Sequence, residues 1–254
     1  MDALLRLPLI EAVRGVAGET SVYLVGGAVR DGLLGKPITD FDFVVSKNAL
    51  QIARQVANAL GGAYYPLDVQ RQYGRVIWVP PNGGRIKLDF ALQVGETIEE
   101  DLHKRDFTTN AIAIDLHNPQ QLIDPLQGAQ AILTKTLRAC SDDAFRNDPL
   151  RVIRGVRFAL TLNFRIEPST WRAMVSASPG LVIVSAERKA EELFRLLASH
   201  SVASSIRLLD RVGALPHTFP ELLALRGVEQ SPPHRQDVYQ HTLEVLNRLE
   251  RSEE

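Results

Sequence analysis

Apolar positions along the chain change period partway through, and that change divides it. Leu4, Leu5, Leu9, Ile10 and Val13 recur at helical spacing and predict an opening helix over residues 3–17. SVYLV at 21–25 is a short β-rich run closed by Gly26-Gly27, and AVRDGLLG then predicts a brief helix stopped by Gly35. After the Lys36-Pro37 turn, Phe41, Phe43, Val44 and Val45 surround Asp42 as a strand, and residues 48–60 read as a helix ended by Gly61-Gly62. AYYPL, YGRVIWVP and RIKLDFAL follow as strands, with PNGG at 81–84 as a hairpin signal between the last two. EEDLHKRDFTTNA at 99–111 is polar and helix-prone, and NAIAIDL gives one more strand before the turn at Asp124-Pro125. From about Ser141 onward LRVIRGVRFALTL, WRAMV, AERKAEELFRLLA and SVASSIRLLDRVGAL all keep a 3.6-residue period, and no strand is expected. The pattern therefore predicts a mixed α/β head over 1–138, a helical neck over 139–200 and the start of a helical body over 201–254.

Composition narrows the class without naming a function. At 254 residues the chain can bury two cores, and 45% hydrophobic with 23% charged residues is ordinary for a soluble protein. The single cysteine, Cys140, excludes an internal disulfide framework and any thiolate metal site. The N-terminus carries Arg6, Glu11 and Arg14 and lacks the apolar core of a signal peptide, and no later stretch is long enough to span a bilayer. No membrane partner and a cytoplasmic location are the resulting expectations. Net charge is −1, yet residues 138–211 hold 12 basic against 8 acidic side chains between acidic flanks, so a bound polyanion belongs there. Oligomeric state is not legible.

Candidate chemistry concentrates in Leu24–Val45, LVGGAVRDGLLGKPITDFDFVV. Asp40 and Asp42, two apart on a strand, share one face, and a hard divalent cation relieves their repulsion. Two Mg²⁺ ions close together can clamp the attacking hydroxyl and the leaving pyrophosphate of an in-line displacement. Asp89, centred in an apolar strand, is the candidate third carboxylate. Gly26-Gly27 leads from a strand into a helix, where bare backbone suits phosphate, and Arg30 adds a cation one turn on. Each feature alone has a bland reading as a plain turn, a surface pair or a solvated strand. Their order within one short stretch points to nucleotidyl transfer.

G-G-x-V-R-D-x-L-L-G followed by D-x-D resembles the signature of class II tRNA nucleotidyltransferases and the similar bacterial poly(A) polymerases, whose catalytic head is related to that of DNA polymerase beta. The likeness covers about residues 20–200. Lys104 to Ala111 (KRDFTTNA) resembles the family's R-R-D-F-T-x-N-A, with Lys in place of the first Arg. The resemblance implies that Arg105, Asp106 and Asn110 face the ribose of the incoming nucleotide, and a carboxylate with an amide suits a 2′-hydroxyl that both donates and accepts. Asp124-Pro125-Leu126-Gln127-Gly128 resembles D-P-F-G-G, with Gln127 in place of a glycine, and implies a hinge or structural role.

NDPLR at 147–151 resembles the family's E-D-x-x-R, with Asn147 standing for Glu, and implies that Asp148 and Arg151 read the incoming base. Three apart on a helix, the two would share a face and present an acceptor and a donor, which suits cytosine and adenine and refuses uracil and guanine. Asp148 before Pro149 is also a common helix start. Arg154, Arg157, Arg188, Lys189 and Arg195 extend the basic helices as a footprint for the tRNA backbone.

Sixteen residues separate Asp89 from Asp106. Family members that complete a CCA end carry a longer basic loop there, so the resemblance leans to CC addition. At the far end PPHRQDVYQHTLEVLNRLE resembles the opening of an HD domain with His241 as its first histidine, and the His-Asp pair that would follow is not present before Glu254. The chain thus resembles one cut after the start of a longer C-terminal region. The resulting expectation is a Mg²⁺-dependent enzyme adding CMP, and AMP as a further substrate, from CTP and ATP to the 3′ end of tRNA. A bacterial poly(A) polymerase and a truncated, non-catalytic RNA-binding fragment are the alternatives.

Overall fold

A computed structural model describes residues 2–81, 83–198, 202–232 and 235–252. Of the expected features, Asn82 in the PNGG turn, Ser201 at the start of the body, and Pro233 and His234 in the HD-like stretch lie outside the described residues. The chain forms two compact units, dividing between Thr134 and Lys135.

The first unit is built on a seven-stranded sheet in the order β3-β4-β5-β2-β1-β6-β7. The opening helix is split into α1 (Asp2–Leu5) and α2 (Pro8–Ala17), because Pro8 starts a new helix and forces extended backbone on Leu7. β1 (Val22–Val25) leads into α3 (Gly27–Leu33), and β2 (Asp40–Val45) into α4 (Ala49–Leu60). β3 (Ala63–Asp68), β4 (Tyr73–Trp78) and β5 (Ile86–Leu92) form an antiparallel meander, after which β5 pairs in parallel with β2. α5 (Ile98–His103), β6 (Ala113–Asp115), β7 (Leu122–Ile123) and α6 (Gly128–Leu133) complete the unit.

Alternation along β2 and β5 sorts the two sheet faces. Phe41 lies opposite Leu88 and Phe43 opposite Phe90, all four fully buried, and the two phenyl rings stack with centroids 4.9 Å apart. Asp42 lies opposite Asp89 and Asp40 opposite Lys87, on the other face. On β4 the same parity matters. Gly74, opposite Phe90, lies beneath α4, where an added Cβ would meet Leu50 at 3.0 Å, and its neighbours Tyr73 and Arg75 therefore turn to the acidic face.

The second unit opens with β8 (Thr136–Leu137), paired in parallel with β9 (Arg165–Ile166). This pair corrects the expectation of no strand beyond Ser141: Arg165 N–H and Glu167 N–H donate to the carbonyls of Lys135 and Leu137, fastening the start of the unit to the end of its first long helix. The remainder is helical: α7 (Ala144–Asn147), α8 (Arg151–Thr161), α9 (Pro168–Ala177), α10 (Ala186–Leu197), α11 (Val202–Arg211), α12 (Pro220–Leu223) and α13 (Val238–Ser252). Val152, Ile153, Val156, Leu196 and Leu209 are among its buried residues. No helix among the described residues is long and apolar enough to cross a membrane.

Candidate active site

Gly26 marks the centre of the site. It ends β1 with φ 71° and ψ −135°, a conformation that side chains other than glycine enter only under strain. A Cβ there would lie 3.2 Å from Asp42 Oδ2 and 3.5 Å from Arg105 Nη1. The backbone of the glycine motif thus runs between the D-x-D aspartate and the arginine of KRDFTTNA.

Asp40 and Asp42 leave the same face of β2 but in different settings. Asp40 is exposed and pairs with Lys87 Nζ at 3.0 Å. Asp42 lies deeper, and no hydrogen bond or ion pair among the described residues reaches its carboxylate. Burial, and next the charge of Asp89, push the Asp42 carboxyl above the usual range, while Arg105 and Lys87 pull it back in part. Asp89, the expected third carboxylate, is buried with both oxygens occupied. Arg75 donates to Oδ1 from Nε at 2.7 Å and to Oδ2 from Nη2 at 2.9 Å, and the Tyr73 hydroxyl donates to Oδ2 at 2.8 Å.

Residues 99–111 do not form the one helix that their polarity predicts. α5 ends at His103, Phe107 is extended, and Thr108–Asn110 is a single 3₁₀ turn. The break carries Asp106 and Asn110 inward, where each is only 6% exposed. Asp106 Oδ1 accepts from its neighbour Phe107 N–H at 2.7 Å and from Asn110 Nδ2 at 3.1 Å. Asn110 Oδ1 in turn accepts from Arg30 Nη1 at 2.5 Å, and Arg30 Nε and Nη2 each donate to Asp31 at 2.9 Å. Arg30 is therefore a buried tie between the glycine motif and the KRDFTTNA motif. Arg105 donates from Nε and Nη2 to Asp101 Oδ1, and Asp101 Oδ2 accepts from Val94 N–H at 3.0 Å. That bond closes the short link from β5 to α5 into a tight turn through Gly95.

The 124–128 motif serves structure. Asp124 accepts from Gly128 N–H and Ala129 N–H at 2.6 and 2.9 Å and so starts α6, while Gln127 takes φ 56° where the related motif has glycine. Gly128 lies so close to Thr108 that a Cβ would stand 2.1 Å from its carbonyl oxygen, and α6 thereby supports the turn holding Asn110.

In the second unit Asp148 does not lie on a helix with Arg151. Asp148 has extended backbone (φ −148°, ψ 97°), and α8 begins at Arg151. Pro149 and Leu150 form a turn after the extended Asp148, so the shared helix face expected of the pair is absent. Asp148 Oδ1 accepts from Leu150 N–H at 3.2 Å and Oδ2 from Arg188 Nη2 at 2.7 Å, while Arg151 Nη1 donates to the Ala144 carbonyl at 3.2 Å. The basic stripe is largely committed internally. Glu192, 4% exposed, accepts from Arg154 at 3.1 Å, Arg157 at 2.8 Å and Arg195 at 3.4 Å, and Lys189 Nζ donates to the His217 carbonyl.

Oxygen donors from Asp40 and Asp42, one exposed and one half-buried without a hydrogen-bond or ion-pair partner among the described residues, suit a hard divalent cation. No group of three or more His, Cys, Asp or Glu fit to hold a metal occurs among the described residues, His241 included. Sequence reasoning missed Tyr73, Arg75, Lys87 and Glu192. The strand parity of β4 and β5 could have supplied the first three.

The chain is similar to known proteins over both of its units. The model of the "Poly A polymerase head domain" matches residues 22–82 and 83–138, and that of the "Probable RNA and SrmB- binding site of polymerase A" matches 163–225. The A-adding tRNA nucleotidyltransferase of Deinococcus radiodurans is 40% identical over 231 residues, covering 89% of this chain and 51% of that protein. The CC-adding tRNA nucleotidyltransferase of Geobacter sulfurreducens is 41% identical over 191 residues, covering 75% and 44%. Among solved structures, a tRNA nucleotidyltransferase complexed with a primer tRNA and an incoming ATP analog superposes with TM-score 0.71 at 31% identity, over 85% of this chain and 68% of the other. The Thermotoga maritima CCA-adding enzyme complexed with tRNA does so with TM-score 0.74 at 31% identity, over 91% and 57%. The chain spans about half the length of the curated relatives it matches.

Proposed function

The chain belongs to the family of tRNA nucleotidyltransferases and bacterial poly(A) polymerases, and on that premise we propose that it transfers CMP from CTP to the 3′ end of tRNA, as a CC-adding enzyme. In this reaction the terminal ribose hydroxyl attacks the α-phosphorus, a new P–O bond forms, the α–β bond breaks and pyrophosphate leaves. Asp40 and Asp42 are the residues that would hold Mg²⁺, which when bound supplies neutralisation of the phosphate charge and polarisation of the reacting oxygens. The observation that carries the reading is the convergence of Gly26, Asp42 and Arg105, with bare backbone, an uncompensated carboxylate and a guanidinium within a few ångströms.

The residues have separable tasks. The Gly26-Gly27 backbone leaves room for a phosphate chain beside Asp42, and Arg30 holds Asn110, which with Asp106 would meet the ribose. Arg105 supplies positive charge next to Asp42. Asp148 and Arg151, with Arg154 behind them, would match the base edge, an acceptor from one and donors from the other. A tight turn at 93–97, where the longer family loop would lie, supports CC addition over completion with A. The same reading implies a cytoplasmic protein, where tRNA ends are made.

Asp42→Ala tested with labelled CTP on tRNA lacking its 3′ end should lose transfer on the order of a thousandfold or more. Undiminished incorporation would end the assignment, and nucleotide binding without product in the unaltered chain would favour the RNA-binding fragment. Stepwise extension of tRNA ending at its discriminator base should stop after two cytidines when CTP and ATP are both present. Addition of a terminal A, or long A tails, would replace the CC reading.

A further inference from the structure

Asp89 lies in register with Asp42 on adjacent parallel strands, the place from which a third metal-binding carboxylate would be expected. Its surroundings point elsewhere. Asp89 is 5% exposed, and its two oxygens receive three hydrogen bonds, two of them from a single guanidinium in the fork geometry that matches a carboxylate most closely. Both donors come from β4, where Gly74 under α4 fixes the parity that turns Tyr73 and Arg75 toward Asp89. Next to it, Asp42 receives no hydrogen bond or ion pair among the described residues.

We propose that Arg75, aided by Tyr73, is a positioning residue that withdraws Asp89 from metal binding, so that the cation site of this chain rests on Asp40 and Asp42 alone. Arg75 fills the role toward Asp89 that a metal fills toward Asp42: it neutralises the charge and satisfies the lone pairs. A metal would have to displace a buried bidentate ion pair to recruit Asp89, and breaking such a pair by taking one partner away is strongly unfavourable. Asp89 then acts through space, its negative charge making the nearby Asp42 carboxylate a group that gains from a bound cation. The inference deepens the proposed function and rests on its assignment of Asp40 and Asp42.

Mn²⁺ binding to the metal-free protein, followed by electron paramagnetic resonance of the free ion, reads the proposal without turnover. Asp42→Asn should weaken Mn²⁺ binding about 100-fold. The double change Arg75→Met with Asp89→Asn, which removes both charges of the buried ion pair together, should keep the unaltered stoichiometry with affinity within about tenfold. Loss in the double variant as deep as in Asp42→Asn would make Asp89 a ligand and overturn the proposal. Arg75→Met alone releases Asp89 and should either add a Mn²⁺ equivalent or tighten binding about tenfold, while Arg75→Lys keeps the unaltered behaviour. Unchanged binding in a folded Arg75→Met protein, checked by circular dichroism, would likewise overturn it. Unaltered Mn²⁺ binding in Asp42→Asn would instead refute the Asp40 and Asp42 assignment, a separate failure.

Discussion

Glu192 in the second unit and Asp42 in the first are both acids set into protein, and their surroundings treat them in opposite ways. Three arginines from two helices converge on Glu192, and its carboxylate joins α8 to α10. Burial pulls the Arg157 guanidinium below its usual range, and Glu192 pulls it back in part. Around Asp42 negative charge is in excess. Asp40 and Asp89 add repulsion, their own cations, Lys87 and Arg75, are bonded to them, and Asp42 is left with charge to spare. A site short of positive charge suits a cation ligand, whereas a cluster whose arginines are bonded to Glu192 and Glu191 ties helices together. The two acids thus differ in whether the protein itself supplies their cations.

Breaking the second-unit cluster should give the largest stability effect. Glu192→Gln strands Arg157 among apolar neighbours and should cost about 3–5 kcal/mol in urea unfolding. A cost under about 1 kcal/mol would mean that solvent reaches those guanidiniums and that the comparison fails. In the first unit, Arg30→Met removes the tie to Asn110 and should cost about 1.5–3 kcal/mol. It should also lower kcat/KM with ribonucleotides more than with the corresponding 2′-deoxynucleotides, because Asn110, proposed to meet the ribose, is what loosens.

Asp42→Asn should act in the opposite direction, stabilising the metal-free protein at neutral pH by a few degrees in Tm. The sign follows from the raised carboxyl: Asp42 contributes most to stability when protonated, below its ordinary value of 3.8, and loses that contribution as pH rises. Tm curves of variant and unaltered protein should therefore converge below about pH 4, and added Mg²⁺ should reverse their order at neutral pH. The smallest change belongs to Arg146→Ala. Its pair with Asp143 is solvent-exposed on both sides, and thermal melts should detect no more than about 0.5 kcal/mol.

Much of this architecture was legible in the sequence, and the failures have common causes. Strand parity placed Asp40 and Asp42 on one face, and glycine punctuation marked the ends of β1, α3 and α4, because these depend on neighbours close in the chain. Pro8 and Phe107 broke helices that charge and spacing alone predicted. Asp148 left the helix because the chain turns through Pro149 before α8 begins. Pairings such as Arg75 with Asp89 and Arg154 with Glu192 join residues whose meeting depends on tertiary register, and a pattern of charges along one strand or helix holds no information about the element that will lie beside it. An arginine on a helix therefore reads as a solvated cation until its partner helix is known.

The parallel pairing of β2 with β5 has a kinetic consequence. Every other neighbour in the seven-stranded sheet is antiparallel, and this one pair encloses α4, β3 and β4 within its loop. Loop-closure entropy must be met before these two strands gain anything from pairing, so their docking follows the local β3–β4–β5 meander in the folding of the unit. Asp42 and Asp89 repel only once that docking has happened. A chain still folding lacks that repulsion, and a cation bound as proposed at Asp40 and Asp42 would draw this step forward by mass action.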